Sequence, residues 1–142
     1  MRHITVATDG SPCADRAVDI AATLAKATGA TLLVMTVGGN LSAEEVRKLA
    51  KAERSTPEAL ELLANQILQQ ASERAARAGA PCVRVHAGWG DAAETIIEAA
   101  RREHSDAIVV GRRGRGRLAG LLLGSVSQKV VALAPCTVVV VP

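Results

Sequence analysis

The sequence is almost without aromatic side chains: Trp89 is the only one, and there is no Phe or Tyr. Modules that read single-stranded nucleic acid stack bases on aromatic faces, and one Trp is not such a platform. Cysteine is scarce too. Cys13, Cys82 and Cys136 are odd in number and widely spaced, with no C-x-x-C pair, so neither a disulfide framework nor a zinc site is expected. His3, His86 and His104 are scattered and suggest no metal held by protein ligands. Long apolar runs are missing. Leu121 to Leu123 and Val138 to Val141 fall far below the roughly 20 residues of a membrane span. The opening MRHITVATDG reaches Asp9 before any apolar segment long enough for a signal peptide. A reducing, cytoplasmic setting without membrane contact is the expectation.

What is present describes one globular domain over residues 1–142. Hydrophobic residues are 49% and charged residues 22% of the chain, well away from disorder. A domain this long buries roughly 70% of its unfolded surface and needs no staple. Twenty-seven alanines mean a core of small and aliphatic side chains. The net charge is +3, and much of the excess lies in Arg112, Arg113, Arg115 and Arg117. A local basic loop suits a phosphate-bearing ligand better than a general nucleic-acid surface. The same arginines also read as a solvated loop.

Two kinds of segment alternate. β-branched runs at Ile4–Thr8, Thr31–Val37, Cys82–His86, Ala107–Val110 and Thr137–Val141 predict five strands. Ser11–Pro12 opens a first helix with apolar positions Ala14, Ala17, Val18, Ala21, Leu24 and Ala25, stopped at Gly29. Ser42 with Glu45 predicts a capping box for a short piece carrying Val46 and Leu49. Ser55 with Glu58 opens the longest helix, which runs to Gly79. Asp91 with Glu94 opens another, ending in Arg101, Arg102 and His104, cations where the macrodipole favours them. A last helix begins near Gly124–Ser125 and stops at Pro135. Nearly wholly apolar strands alternating with helices predict an α/β fold, a doubly wound, five-stranded parallel sheet of Rossmann-like type.

In such folds ligands sit beyond the carboxyl ends of the strands, so the residues after each strand matter most. The richest stretch follows the fourth strand. Gly111 and Gly114 lack Cβ and admit close backbone approach to a ribose or phosphate. Gly124 and Ser125 start a helix whose N-terminus suits an anion, with the Ser125 and Ser127 hydroxyls nearby. A glycine-rich turn followed by an ordinary helix cap is the plain alternative. Asp9 reads equally as a ribose or metal contact and as a turn residue ahead of Ser11. Cys82 and Cys136 open strands and read as core, Cys13 as a small side chain in a first helical turn. Trp89 reads as packing at the rim or as cover for part of a ligand.

Gly111-x2-Gly114-x9-Gly124-Ser125 resembles the nucleotide-binding motif of the universal stress protein family. Ile4-Thr-Val-Ala-Thr-Asp9-Gly-Ser11 resembles that family's first strand and aspartate, and Ala134-Pro135-Cys136-Thr-Val-Val-Val-Val141 its last strand. The resemblance runs in order from Met1 to Pro142. It implies an ATP-binding, stress-response regulatory protein, with Mg2+ or Mn2+ on the phosphates, dimeric through Thr137 to Val141. By position it places Ala7, Thr8 and Asp9 on the adenine and ribose side and Val37 against the adenine. Val110, Gly111, Arg113 and Gly114 would border the ribose and first phosphates, and Gly124, Ser125, Val126 and Ser127 would hold the outer phosphates.

Other motifs fail on context. Gly114-x-Gly116-x-x-Ala119 fits a dinucleotide fingerprint, but that motif needs the first strand of a unit and an acid at the end of the next; Val138 to Pro142 has none. No G-x-x-x-x-G-K-[ST] occurs. A phospho-receiver wants an aspartate where this chain has His86–Ala87–Gly88. No lysine or acid pair for phosphoryl transfer is evident, so at most weak ATP hydrolysis or autophosphorylation is expected, at Ser125 or Ser127. A nucleotide-independent dimeric interaction module stays open, as does, more weakly, nucleic-acid binding through the arginine loop.

Overall fold

In a computed structural model, residues 1–38, 47, 56–114 and 123–142 are described. Five strands, β1 (His3–Ala7), β2 (Thr31–Gly38), β3 (Cys82–Trp89), β4 (Ala107–Gly111) and β5 (Thr137–Val141), form one sheet. The order is β3-β2-β1-β4-β5 and every pairing is parallel. The described helices are α1 (Pro12–Thr28), α2 (Thr56–Arg77), α3 (Ala92–Arg102) and α4 (Ser125–Leu133). This is the expected doubly wound α/β fold. Ser42, Glu45, Val46, Leu49 and Ser55 lie outside the described residues.

Side chains alternate across the strands, and the two sets pack on different helices. Ile4, Val6, Leu32, Val34 and Val109 meet the α1 and α2 side; Leu33, Met35, Ile108 and Val110 meet the α3 and α4 side. The buried stripe of α1 is Ala14, Ala17, Val18, Ala21, Ala22 and Ala25. Methyl-sized side chains let this helix lie close on the sheet, so the core needs no aromatic. The α1 ends are set locally: the Ser11 hydroxyl accepts from the Ala14 N–H, Pro12 follows it, and Gly29 closes the helix at φ 71°.

Two departures from the sequence reading share one cause, the edge position of β3. Cys82 is exposed rather than in the core, because one side of β3 has no neighbouring strand. The strand also continues past His86: Ala87, Gly88 and Trp89 pair with Thr36, Val37 and Gly38. Gly-Trp-Gly looks like loop chemistry, but its backbone still completes the ladder. Cys136 is half-buried against the α3 and α4 side, where burial, then Asp106, pushes its thiol pKa up. Among the described residues no helix is long and apolar enough to cross a membrane.

At the opposite end from the strand termini, the Asp106 carboxylate accepts from the backbone N–H groups of His3 and Arg2 at 3.0 and 2.6 Å. These bonds, the His3 one first, hold its pKa below the ordinary 3.8. A depressed carboxyl stabilises the fold at neutral pH, and that contribution drains away as pH falls through its lowered native pKa. Asp106→Asn should therefore lower the denaturation midpoint at pH 7 and flatten its decline below about pH 4. Parallel acid limbs for wild type and variant would rule this out.

Candidate functional site

Strand order reverses between the central strand β1 and its neighbour β4, whose following segments run to opposite faces. A crevice forms there by topology. Past β1, the Thr8 N–H donates to the Met35 carbonyl at 2.9 Å, and the Thr8 hydroxyl accepts from the Gly10 N–H at 3.1 Å. The Asp9 carboxylate accepts from the Ser11 N–H at 2.9 Å. Gly10 sits at φ 78°, the left-handed region that glycine enters without strain. The turn reading of Asp9 is thus correct for one oxygen. Its other oxygen faces Gly114.

Past β4, the two glycines stand where a side chain would crowd other parts of the chain. A Cβ on Gly111 would stand 3.0–3.2 Å from Cys13 Sγ and the backbone of Cys13 and Ala14. One on Gly114 would stand 2.5 Å from Asp9 Oδ2. The first glycine lets β4 pass the start of α1, and the second lets the loop close over Asp9. Arg112, between them, is held by its backbone. Its N–H donates to Val141 O at 2.6 Å, and its carbonyl accepts from the Gly124 N–H and the Ser127 hydroxyl, each at 2.8 Å. Cys13 Sγ also donates to Val141 O, at 3.2 Å. These four contacts join β4, β5, α1 and α4.

The start of α4 differs from the other well-defined helix starts. Ser11 caps α1, and the Asp91 carboxylate caps α3 by accepting from Glu94 N–H at 2.9 Å. Asp91 is held below its ordinary pKa by that bond and by Lys129, which bridges to Asp91 and Glu94 at 3.3 and 3.2 Å. Gly124 caps α4 with no side-chain bond, and no acidic residue lies in its first turn. Leading helix N–H groups have no intrahelical partner and carry the positive end of the dipole. The start of α4 therefore presents donors that no capping side chain of its own satisfies, an arrangement suited to an oxyanion.

The residues suggested by the sequence come together unevenly. Thr8, Asp9, Gly111, Gly114 and Gly124 converge at the switch point. Ala7 and Val110 are the adjoining strand residues beneath it. Ser125 is exposed at the first position of α4. Val126 turns its side chain to the core and has only its backbone N–H to offer. Ser127 is 3% exposed, and its hydroxyl lies on two carbonyls, that of Arg112 at 2.8 Å and that of Gly124 at 3.1 Å. Arg113 is half-buried beside Gly114, and Val37 lies one strand away at the end of β2. The Arg112 clamp was not foreseen; a main-chain role leaves no mark in side-chain identity. Arg115 and Arg117 lie outside the described residues. Among the described residues no group of three or more His, Cys, Asp or Glu is placed to hold a metal ion.

Against this geometry stand the similarities to known proteins. The model of the universal stress protein family matches residues 1–142. A universal stress protein of Thermus aquaticus is 40% identical over 149 residues, covering 99% of this chain and 98% of its own. The crystal structure of a universal stress protein in complex with cAMP is 29% identical, with a TM-score of 0.77, over 99% of this chain and 97% of that one. The protein UspA from Lactobacillus plantarum is 25% identical, with a TM-score of 0.81, over 99% and 97%.

Removing the Ser127 hydroxyl should cost about 1 kcal/mol of stability, the usual worth of one partly buried hydrogen bond. Chemical denaturation of Ser127→Ala measures it; an unchanged midpoint would show that the hydroxyl does not hold the Arg112 segment to α4.

Proposed function

The chain belongs to the universal stress protein family, and from that premise we propose that it is an adenine-nucleotide-binding stress-response regulator, one domain over residues 1–142, whose ligand is ATP. The carrying observation is the uncapped, acid-free start of α4, pinned by Arg112 beside the Asp9–Gly114 contact. Backbone N–H groups of Ser125, Val126 and Ser127 hold the outer phosphates, with the Ser125 hydroxyl beside them. The segment Val110, Gly111, Arg113 and Gly114 borders the ribose and inner phosphate. Ala7, Thr8 and Asp9 line the ribose and base side, and Val37 meets the base. Mg2+ or Mn2+ accompanies the phosphates. The cAMP complex of a 29% identical relative supports an adenine nucleotide on this architecture.

Ser127 serves this site as a positioning group, since its hydroxyl is spent on Arg112. That leaves Ser125 as the exposed hydroxyl next to the outer phosphates, and hydrolysis or autophosphorylation is at most weak. The setting is cytoplasmic. We also propose a homodimer through β5, an edge strand with half-buried Val138, Val139 and Val140. An apolar edge is a pairing liability that a twofold mate removes.

A second reading has one observation in its favour. Gly111 and Gly114 are explained by Cys13, Ala14 and Asp9 alone, as in an interaction module that uses no nucleotide.

Calorimetric titration of nucleotide-stripped protein with Mg-ATP decides between them, repeated on Gly124→Asp. A Cβ at Gly124 meets only ordinary contacts, the nearest 3.4 Å away, and aspartate is a favourable cap. The variant should fold with an unchanged or higher Tm while its own carboxylate fills the anion site, weakening ATP at least tenfold. Binding unaffected by Gly124→Asp would move the phosphates elsewhere; none in wild type would leave the interaction module. Sedimentation at micromolar concentration should show a dimer, and a monomer would overturn pairing through β5.

A further inference from the structure

Trp89 is the last residue of β3, so it stands at the same end of the sheet as Asp9 and Gly111. It is half exposed, at 50%, in a chain that builds its core without any other aromatic. An indole used only for packing would be expected in that core. The ring nevertheless lies on the backbone. It reaches from the edge strand across the end of β2, where a Cβ on Gly38 would lie 2.2–2.8 Å from three atoms of its benzo ring. Only glycine at 38 admits it there. From behind, Thr95 Oγ1 donates to the Trp89 carbonyl at 3.3 Å, and the Thr95 methyl occupies the space a side chain on Gly88 would take.

Val37 and Gly38 point to opposite faces of the sheet. Val37 packs on the α3 and α4 side, and Trp89, paired with Gly38, lies on the other. The two side chains bracket the end of β2. That end adjoins β1, where the Thr8 N–H bonds to Met35 of β2. A flat, apolar, half-exposed surface held at this place suits a planar ring, and base–aromatic stacking is effective because every base has a π-face.

We infer that Trp89 is the base-contacting wall of the site, a binding residue on which the base stacks while α4 holds the phosphates. This rests on the nucleotide reading above. It assigns to Trp89 a part of the affinity that depends on the base and not on the phosphates. Gly38 is a positioning residue, acting by leaving room for the indole.

The test separates base from phosphate. Mg-ATP and inorganic triphosphate are titrated into wild type, Trp89→Leu, Trp89→Phe and Gly38→Ala, with calorimetry for affinity and circular dichroism for folding. Intrinsic fluorescence, which reports Trp89 alone, is followed in wild type and Gly38→Ala. Wild-type fluorescence should change with Mg-ATP and not with triphosphate. Trp89→Leu should weaken Mg-ATP about tenfold, the scale of one stacked base, and leave triphosphate unchanged. Trp89→Phe should recover most of the loss, and Gly38→Ala should shift the emission and weaken Mg-ATP. Calorimetric binding of Mg-ATP with silent fluorescence and an unaffected Trp89→Leu would overturn this role while keeping the nucleotide. Equal losses for Mg-ATP and triphosphate would overturn it in favour of a structural role. Absence of calorimetric Mg-ATP binding in wild type would overturn the nucleotide reading and this one together.

Discussion

The backbone of Arg112 is the constraint on which the rest of the site depends. Its N–H ends the β4–β5 ladder on Val141, and its carbonyl takes both the Gly124 N–H and the Ser127 hydroxyl. One peptide segment thus fixes where β4 leaves the sheet, where β5 stops and where α4 begins. Cys13 adds a contact from α1 to the same Val141 carbonyl. A helix start has binding value only if its N–H groups point at a defined place. The clamp supplies that definition from the Arg112 backbone and the Ser127 hydroxyl.

Electrostatics then separate this helix start from its neighbours. The starts of α1 and α3 are each satisfied by a side chain of their own, Ser11 and Asp91. At α3, Asp91, Glu94 and Lys129 close a small charge network, and an incoming anion would meet two carboxylates there. At α4 the capping residue is glycine and the first turn carries no acid. The difference lies in the capping residues, and it makes the start of α4 more favourable to an anion than the starts of α1 and α3. Lys129 belongs to α4 yet spends its charge on α3, tying the two helices together across that face.

Much of this was legible in the sequence because it is local. Periodicity marks helices, β-branched runs mark strands, and Ser11–Pro12, Asp91 with Glu94, and Gly29 are self-contained capping signals. The alanine stripe of α1 announces a closely packed helix. The errors fell where local chemistry and tertiary placement disagree. The β-branched run ends at His86, yet Ala87, Gly88 and Trp89 are strand, since the neighbouring β2 supplies the hydrogen-bond partners. Cys82 looks like core and is exposed, since β3 lies at an edge.

By itself the sequence determined the element types, the parallel α/β architecture and the list of residues at the strand ends, because periods of two and 3.6 and capping chemistry act within a few residues. Only the tertiary structure decided the order β3-β2-β1-β4-β5, and with it the meeting of Asp9 with Gly114 across more than a hundred residues of chain. It also decided why the glycines are glycines. Gly111 yields to α1, Gly114 to a carboxylate and Gly38 to an indole. Each is a fact about what another part of the chain occupies, and excluded volume between distant segments exists only once they have packed.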